Sequence, residues 1–274
     1  MRLKKALSKK LTEKERSLIP TSFDVVGDIL IFSDFPKELA KKEKIIAEEI
    51  ISIMKNIKVV CKKTKKYSGE YRLPKLKILA GERRKETTHK ENNILLKLHT
   101  EKSYFSSRSS TERKRINQLV KKGEKILVMF SGVSPYPINL SKNTPAKHIT
   151  AIEINPTAHK YALSNLTLNK TQNITIIHGD VIKEMPKLKG NFDRIIMPLP
   201  KKAETFLGLA SKKTKKKSII HLYIFLREEN INKTHLTKII KKNMKKRFKI
   251  TNIAKCGQYS PGIFRTCTDI LVQE

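Results

Sequence analysis

Apolar positions along the chain switch between a two-residue and a helical period. Residues 23–32 are a strand candidate broken at Gly27-Asp28. Pro36 then opens a helix in the position proline tolerates, with Leu39, Ile46, Ile50 and Ile53 at helical spacing. Residues 57–61 form a β-branched run, and 76–80, 86–89 and 94–99 read as further strands, with Asn92-Asn93 as a turn between the last two. Residues 21–108 are therefore expected to be a small α+β domain. Residues 1–20 ahead of it read as a basic arm or short helix ending at Pro20.

After Ser109 the pattern changes. A helix over 109–121 would place Ile116, Leu119 and Val120 on one face. Strands are predicted at 125–130, 148–153, 173–178, 192–197, 218–226, 248–256 and 264–272. Helices near 136–142, 156–169, 181–185, 201–212 and 231–245 lie between the first six. Such alternation argues for a parallel sheet covered on both faces. The connection from Gly257 to Gly262 is too short for a helical crossover, so the seventh strand pairs antiparallel to the sixth. Seven strands ending in an antiparallel hairpin are the layout of a class I (Rossmann-like) methyltransferase domain, here 109–274.

Charge narrows the partners. Lys and Arg number 59 against 25 acidic residues, a net charge of +34 over 274 residues. A polyanion is the natural neutralising partner, and nucleic acid is the first candidate. Lysine enrichment without matching glutamate argues against a merely solvated surface. Basic clusters at 4–14, 62–66, 212–217 and 241–247 are dispersed, as expected of a folded body with several phosphate contacts. No run of eighteen apolar residues and no apolar N-terminal leader occurs, so no membrane partner is expected. Cys61, Cys256 and Cys267 lack C-x-x-C spacing, and His89, His99 and His178 lack ligand spacing. No metal is expected, and a reducing cytoplasm is.

In an open α/β sheet, ligands bind beyond the carboxyl ends of the strands. The first strand of the second domain runs into Ser131-Gly-Val-Ser-Pro-Tyr136, which has only Gly132 of a G-x-G-x-x-G fingerprint. A pyrophosphate cofactor is therefore disfavoured. Glu153 ends the second strand, 21 residues after Gly132, where a carboxylate accepts from ribose hydroxyls. Asp180 ends the third and could accept from an adenine amino group. Two carboxylates favour a cationic cofactor without phosphate, such as S-adenosylmethionine. Plainer roles exist for both: a capped strand-to-helix turn at Glu153-Ile-Asn-Pro156, and an N-cap at Asp180. The fourth strand ends at Met197-Pro-Leu-Pro200, a stiff platform or simply a helix-start proline.

Tyr104-Phe-Ser-Ser-Arg-Ser-Ser-Thr-Glu-Arg113, Met129-Phe-Ser-Gly-Val-Ser-Pro-Tyr136, Glu153-Ile-Asn-Pro156 and Met197-Pro-Leu-Pro-Lys-Lys-Ala203 resemble the archaeal and eukaryotic tRNA (guanine-37-N1)-methyltransferases. So do Gly69-Glu-Tyr-Arg72, Leu79-Ala-Gly-Glu82 and Thr88-His-Lys-Glu-Asn92, and the motifs follow the family's order over residues 22–272. The resemblance implies an S-adenosylmethionine-dependent enzyme of wyosine-related tRNA modification, a monomer acting on the anticodon stem-loop. It implies that Glu112 takes the N1 proton of the guanine, that Arg72 holds the charge developing on O6, and that Arg108 positions Glu112. Tyr104, Phe130, Gly132, Glu153 and Asp180 would hold the cofactor. The chemistry is coherent, because guanine N1 becomes a nucleophile only on losing its proton. Spacing alone also reads Ser109-x-x-Glu112 as a capping box.

Three departures from the family pattern stand out. Val128 replaces a usual acidic residue. Pro198 replaces an Asn that contacts the base in many members, as in an archaeal subgroup that also methylates the wyosine precursor imidazopurine. With about twenty residues ahead of the central unit, the family's tRNA-corner module is expected to be missing or vestigial. The rival readings are an aminocarboxypropyl transferase acting at the same tRNA position and a non-catalytic RNA-binding protein.

Overall fold

The computed structural model describes residues 5–69, 71, 73–199 and 201–273. The chain divides into two compact units, residues 1–90 with 95–107, and residues 91–94 with 108–274.

In the first unit, helix α1 (Glu13–Ser17) starts at a reciprocal Thr12–Glu15 capping box. Strands β1 (Phe23–Val26) and β2 (Ile29–Phe32) form an antiparallel hairpin about Gly27-Asp28. Gly27 has φ 57°, and a Cβ there would collide with the Thr87 hydroxyl, so both the turn and the close approach require glycine. A 3-10 turn, Lys37–Lys42, leads into α2 (Glu43–Ile53). Strand β3 (Val59–Ser68) pairs parallel to β2 and antiparallel to β4 (Leu73–Gly81), giving a sheet of order β1-β2-β3-β4. Strands β5 (Glu86–Glu91) and β6 (Ile94–His99) pair separately, and Asn92 and Asn93 turn between them with φ 43° and 61°. Such left-handed pairs favour Asn and suit a two-residue hairpin loop. Residues 1–20, read as a basic arm or short helix, hold α1 and contribute Leu7, Leu11 and Ile19 to a core with Leu30, Phe32, Ile46 and Val60.

The second unit opens with α3 (Ser110–Leu119). It then alternates: β7 (Lys125–Val128), α4 (Pro135–Asn143), β8 (His148–Glu153), α5 (Pro156–Leu168), β9 (Ile174–His178), α6 (Val181–Glu184) and β10 (Phe192–Met197). Helix α7 (Leu207–Ser211), β11 (Thr214–Arg227), α8 (Lys233–Asn243), β12 (Phe248–Ser260) and β13 (Ile263–Val272) complete it. The sheet order is β12-β13-β11-β10-β7-β8-β9. Strands β7 to β11 are mutually parallel, and β13 inserts antiparallel between β11 and β12. This is the seven-stranded class I arrangement. One face buries Leu127, Ile195, Ile220 and Leu222 with Leu236 and Ile240 of α8. The opposite face buries Ile126, Val128, Ile196 and Tyr223 with Ile116 of α3 and Tyr136 and Leu140 of α4.

Several element bounds differ from expectation, among them β3 and β11, which run longer, and two differ for clear local reasons. Strand β7 stops at Val128 because Phe130 turns to φ 55°, which an extended strand cannot hold. The helix expected over 201–212 divides into a 3-10 turn, Ala203–Phe206, and the short α7.

Candidate active site

Strand register places the site. Val128 of β7 pairs with Ile196 of β10 and with Ala151 of β8. Two residues further on, Phe130, Pro198 and Glu153 therefore stand at one level at the carboxyl ends of three adjacent parallel strands. Beyond that level the chain bends sharply: Phe130, Gly132 and Ser134 have φ 55°, 58° and 65°. Left-handed conformations at non-glycine residues cost energy and persist only where the surroundings impose them. The anchor is Glu153, 7 % exposed, which accepts from the Gly132 amide at 2.6 Å and the Asn155 amide at 2.7 Å. Burial pushes its carboxyl up, and these amides oppose the shift. Asn155 in turn caps α5, accepting from Thr157 and Ala158. Glu153 is thus both a loop clamp and an acceptor with lone pairs to spare for hydroxyl donors.

The same loop has unmet hydrogen-bonding capacity. Among the described residues, the buried hydroxyls of Ser131 and Ser134 have no hydrogen-bond partner. Buried polar atoms without partners are uncommon and mark places where a ligand can supply them. Together with Glu153, this donor and acceptor set fits the ribose of a nucleoside. Asp180 sits two residues past the Glu153–His178 pair and caps α6 through the Ile182 amide at 2.9 Å. Its capping role is therefore real.

Glu112 does not close a capping box, since Ser109 makes no side-chain cap bond. Its carboxylate turns toward the sheet and is 6 % exposed. Tyr223 donates to it at 2.7 Å, and Arg115 donates twice, at 2.7 and 2.8 Å. Tyr136 donates to the Tyr223 oxygen at 3.0 Å. Burial alone would raise the Glu112 carboxyl. The Arg115 and Tyr223 hydrogen bonds outweigh it and hold the group below its usual range. Tyr223 lies one residue past the Met197–Leu222 pair, level with Pro198.

A longer buried chain of charge continues from Arg115. Its guanidinium donates to Asp269 at 2.7 and 3.2 Å. His221 Nδ1 lies 2.6 Å from Asp269, and His221 Nε2 lies 2.6 Å from Arg194. Arginine can only donate, so Nε2 must accept, Nδ1 must carry the proton, and His221 is neutral. Burial lowers the His221 pKa, in keeping with that form. Arg194, fully buried, ends the chain on Glu124 at 2.7 and 2.9 Å. For Asp269, hydrogen bonds from His221 and Arg115 overcome the effect of burial and hold the carboxyl well below its usual range. His221, Cys267 and Asp269 have metal-like spacing, but the two guanidiniums bonded to this cluster already take the place of a cation. Cys61, Cys256 and Cys267 are all buried and unpaired, and burial pushes the thiols of Cys61 and Cys256 up to about 12, which disfavours a thiolate nucleophile.

The structure therefore brings Phe130, Gly132, Glu153, Pro198 and Glu112 to one end of the second unit's sheet, with Asp180 just beyond it. Arg108 is exposed in the turn Ser107–Ser109 leading into α3. Tyr104 is exposed on the first unit. Arg72 lies outside the described residues. Sequence reasoning missed Arg115, Tyr223, His221, Asp269 and Arg194. For the last four the available signal was a charged or ionisable residue at an interior position of β10, β11 and β13, where burial demands a partner; Arg115, on α3, carried no such signal.

Known proteins resemble this chain. Residues 87–251 match the TRM5/TYW2 methyltransferase domain, and residues 3–84 match the TYW2 N-terminal domain. The chain is 42% identical over 224 residues to a Pyrococcus abyssi tRNA (guanine(37)-N(1))-methyltransferase, Trm5b, covering 82% of this chain and 66% of the relative. It is 37% identical to the Nanoarchaeum equitans tRNA (guanine(37)-N(1))/4-demethylwyosine(37)-methyltransferase Taw22, covering 77% of this chain and 86% of that one. A solved complex of aTrm5 with tRNALeu superposes with a TM-score of 0.86 at 31% identity, over 99% of this chain and 78% of that one. With a domain-length match and a relative 37% identical of which 86% is covered, the chain belongs to the TRM5/TYW2 methyltransferase family.

Proposed function

We propose that the protein methylates N1 of guanine-37 in tRNA, taking the methyl group from S-adenosylmethionine, which supplies it on an electrophilic sulfonium. One observation carries the reading. The Glu112 carboxylate is held ionised by Tyr223, which stands level with Pro198 at the strand ends that also carry the loop clamped by Glu153.

Glu153 accepts from the ribose hydroxyls, and the Ser131 and Ser134 hydroxyls add contacts to the nucleoside. Gly132 lets the backbone approach, and Phe130 walls the pocket. Asp180 and Tyr104 complete the cofactor set on the strength of the resemblance. Glu112 takes the N1 proton as the methyl arrives. Its depressed pKa keeps it unprotonated at neutral pH but makes it a weak base, so proton removal and methyl transfer must be concerted. Three carboxylates (Glu112, Asp269, Glu124) face two guanidiniums across a neutral imidazole. A proton gained by Glu112 cancels that excess of negative charge. Arg72 offsets the charge developing on O6, and Arg108 helps to orient Glu112, both by resemblance.

Pro198 offers no side-chain amide to a base edge, which suits the tricyclic imidazopurine as a further substrate. The partner is the anticodon stem-loop, bound by a monomer in the cytoplasm. Among the described residues, no helix is long and apolar enough to cross a membrane.

The test is mass spectrometry of tRNA transcripts carrying guanine or adenine at position 37, after incubation with protein and S-adenosylmethionine. A single methyl on the guanine transcript alone is expected. Equal modification of both transcripts overturns the guanine assignment. An aminocarboxypropyl adduct overturns the choice of transferred group.

A further inference from the structure

Beside the strand-end level lies a groove that the proposed chemistry does not use. It encloses about 690 Å³ and is lined by Lys201, Lys202, Phe225, Lys242 and Tyr259, among others. That volume falls within the range of about 300–1,000 Å³ typical of ligand sites. Its floor is apolar, with Ile224 and Leu226 buried. Tyr259 is 59 % exposed, the most exposed large apolar side chain among the described residues. Its ring stacks on Phe225 with centroids 4.2 Å apart and planes inclined by 34°. A supported aromatic that keeps much of its surface open is a platform for another planar ring.

The rim is basic. Lys201, Lys202 and Lys242 are exposed, against one half-buried acid, Glu204. Lys202 holds φ 66°, a left-handed conformation that costs a lysine energy and directs the turn after β10. Lys201 and Lys202 follow the segment that carries Pro198. Phe225 lies two residues past Tyr223 on β11, about 7 Å along the strand. The groove thus begins about one nucleotide away from the level where the target base would sit.

We infer that this groove binds the single-stranded RNA next to the target nucleotide. A neighbouring base stacks on Tyr259 and Phe225, and its phosphates lie against Lys201, Lys202 and Lys242. The inference rests on the proposed tRNA reading and adds to it a subsite and a class of contact. Base stacking explains an exposed Tyr259 supported on a half-buried Phe225, and phosphate explains the basic rim. An acidic peptide would account only for the second.

The test uses the full chain and a tRNA transcript with 2-aminopurine in place of the nucleotide 3′ to the target. Stacking quenches its fluorescence on binding. Tyr259→Ala should abolish the quench and weaken tRNA binding between about five-fold and 100-fold. Tyr259→Phe should keep the quench, and Tyr259→Leu should lose it, which separates stacking from misfolding. A triple Lys201→Ala, Lys202→Ala, Lys242→Ala protein should flatten the log–log salt dependence of binding by about two. Affinity for S-adenosylmethionine, measured by calorimetry, should not change in any of them. If wild-type protein methylates the transcript while Tyr259→Ala binds and quenches as wild type does, the subsite falls and the function stands. If no methyl is transferred but the quench still depends on Tyr259, the function falls and the groove stands as an RNA site. Displacement of the probe by an acidic peptide at equal charge concentration overturns the assignment to RNA.

Discussion

Glu153 and Glu112 are almost equally buried, yet their surroundings treat them in opposite ways. Around Glu153 the donors are neutral backbone amides, and the carboxyl is pushed up. Around Glu112 the donors are a guanidinium and a phenol, and the carboxyl is held down. The first environment suits an acceptor that exchanges hydroxyl partners as a ligand comes and goes. The second fixes one orientation and an ionised resting state, as a base that must meet a reacting N–H requires. Burial alone says little about the role of an acid, whereas the chemical type of its donors says a good deal.

The comparison can be broken most forcefully at Glu112. Glu112→Gln keeps the shape and removes the base, so single-turnover methyl transfer should slow by about 10²- to 10⁴-fold, with cofactor affinity close to wild type. Equal losses in rate and in cofactor affinity would place Glu112 in the Glu153 class instead. Asp269→Ala leaves the half-buried Arg115 and the buried His221 without their shared acceptor. Stability in urea should fall by about 3–5 kcal/mol. Glu153→Gln should weaken S-adenosylmethionine binding by roughly 10- to 100-fold, the value of about 1.5–3 kcal/mol for hydrogen bonds to a charged group, with a smaller change in rate at saturation.

Two smaller effects sharpen the contrast. Tyr223→Phe removes one hydrogen bond that lowers the Glu112 pKa. The acid limb of the pH–rate profile should then move to higher pH, with a loss of about 1 kcal/mol in stability. His221 has a folded-state pKa below its unfolded value of about 6.5. The unfolded chain therefore takes up its proton first, and stability present above that value declines as pH falls from about 6.5 toward the lower folded pKa. Thermal midpoints between pH 7.5 and 5.5 should record the decline, and His221→Asn should flatten it.

Much of the second unit was legible because its strands are rich in β-branched and aromatic residues, alternate with helical segments, and end in a short last connection. The short link between β12 and β13 left an antiparallel hairpin as its only outcome. Local chemistry also marked the Asn92-Asn93 turn and the caps at Asn155 and Asp180. In the first twenty residues lysines dominate the composition, and Leu7, Leu11 and Ile19 are too sparse to give a periodic signal of the core they join. Around Glu112, local spacing pointed to a capping box. The partners that matter are 111 residues away at Tyr223 and, through Arg115, 154 residues further on at Asp269. Pairings at that range are set by sheet order, and a linear pattern does not encode them.

The row of ionised and polar groups from Glu124 through Arg194, His221 and Asp269 to Glu112 has a thermal consequence. Water solvates ions less favourably as it warms, so the penalty for keeping these groups dry shrinks with rising temperature. Hot surroundings would therefore find this interior less strained than cold ones, and chilling is the condition under which its internal electrostatics weigh most heavily against the fold.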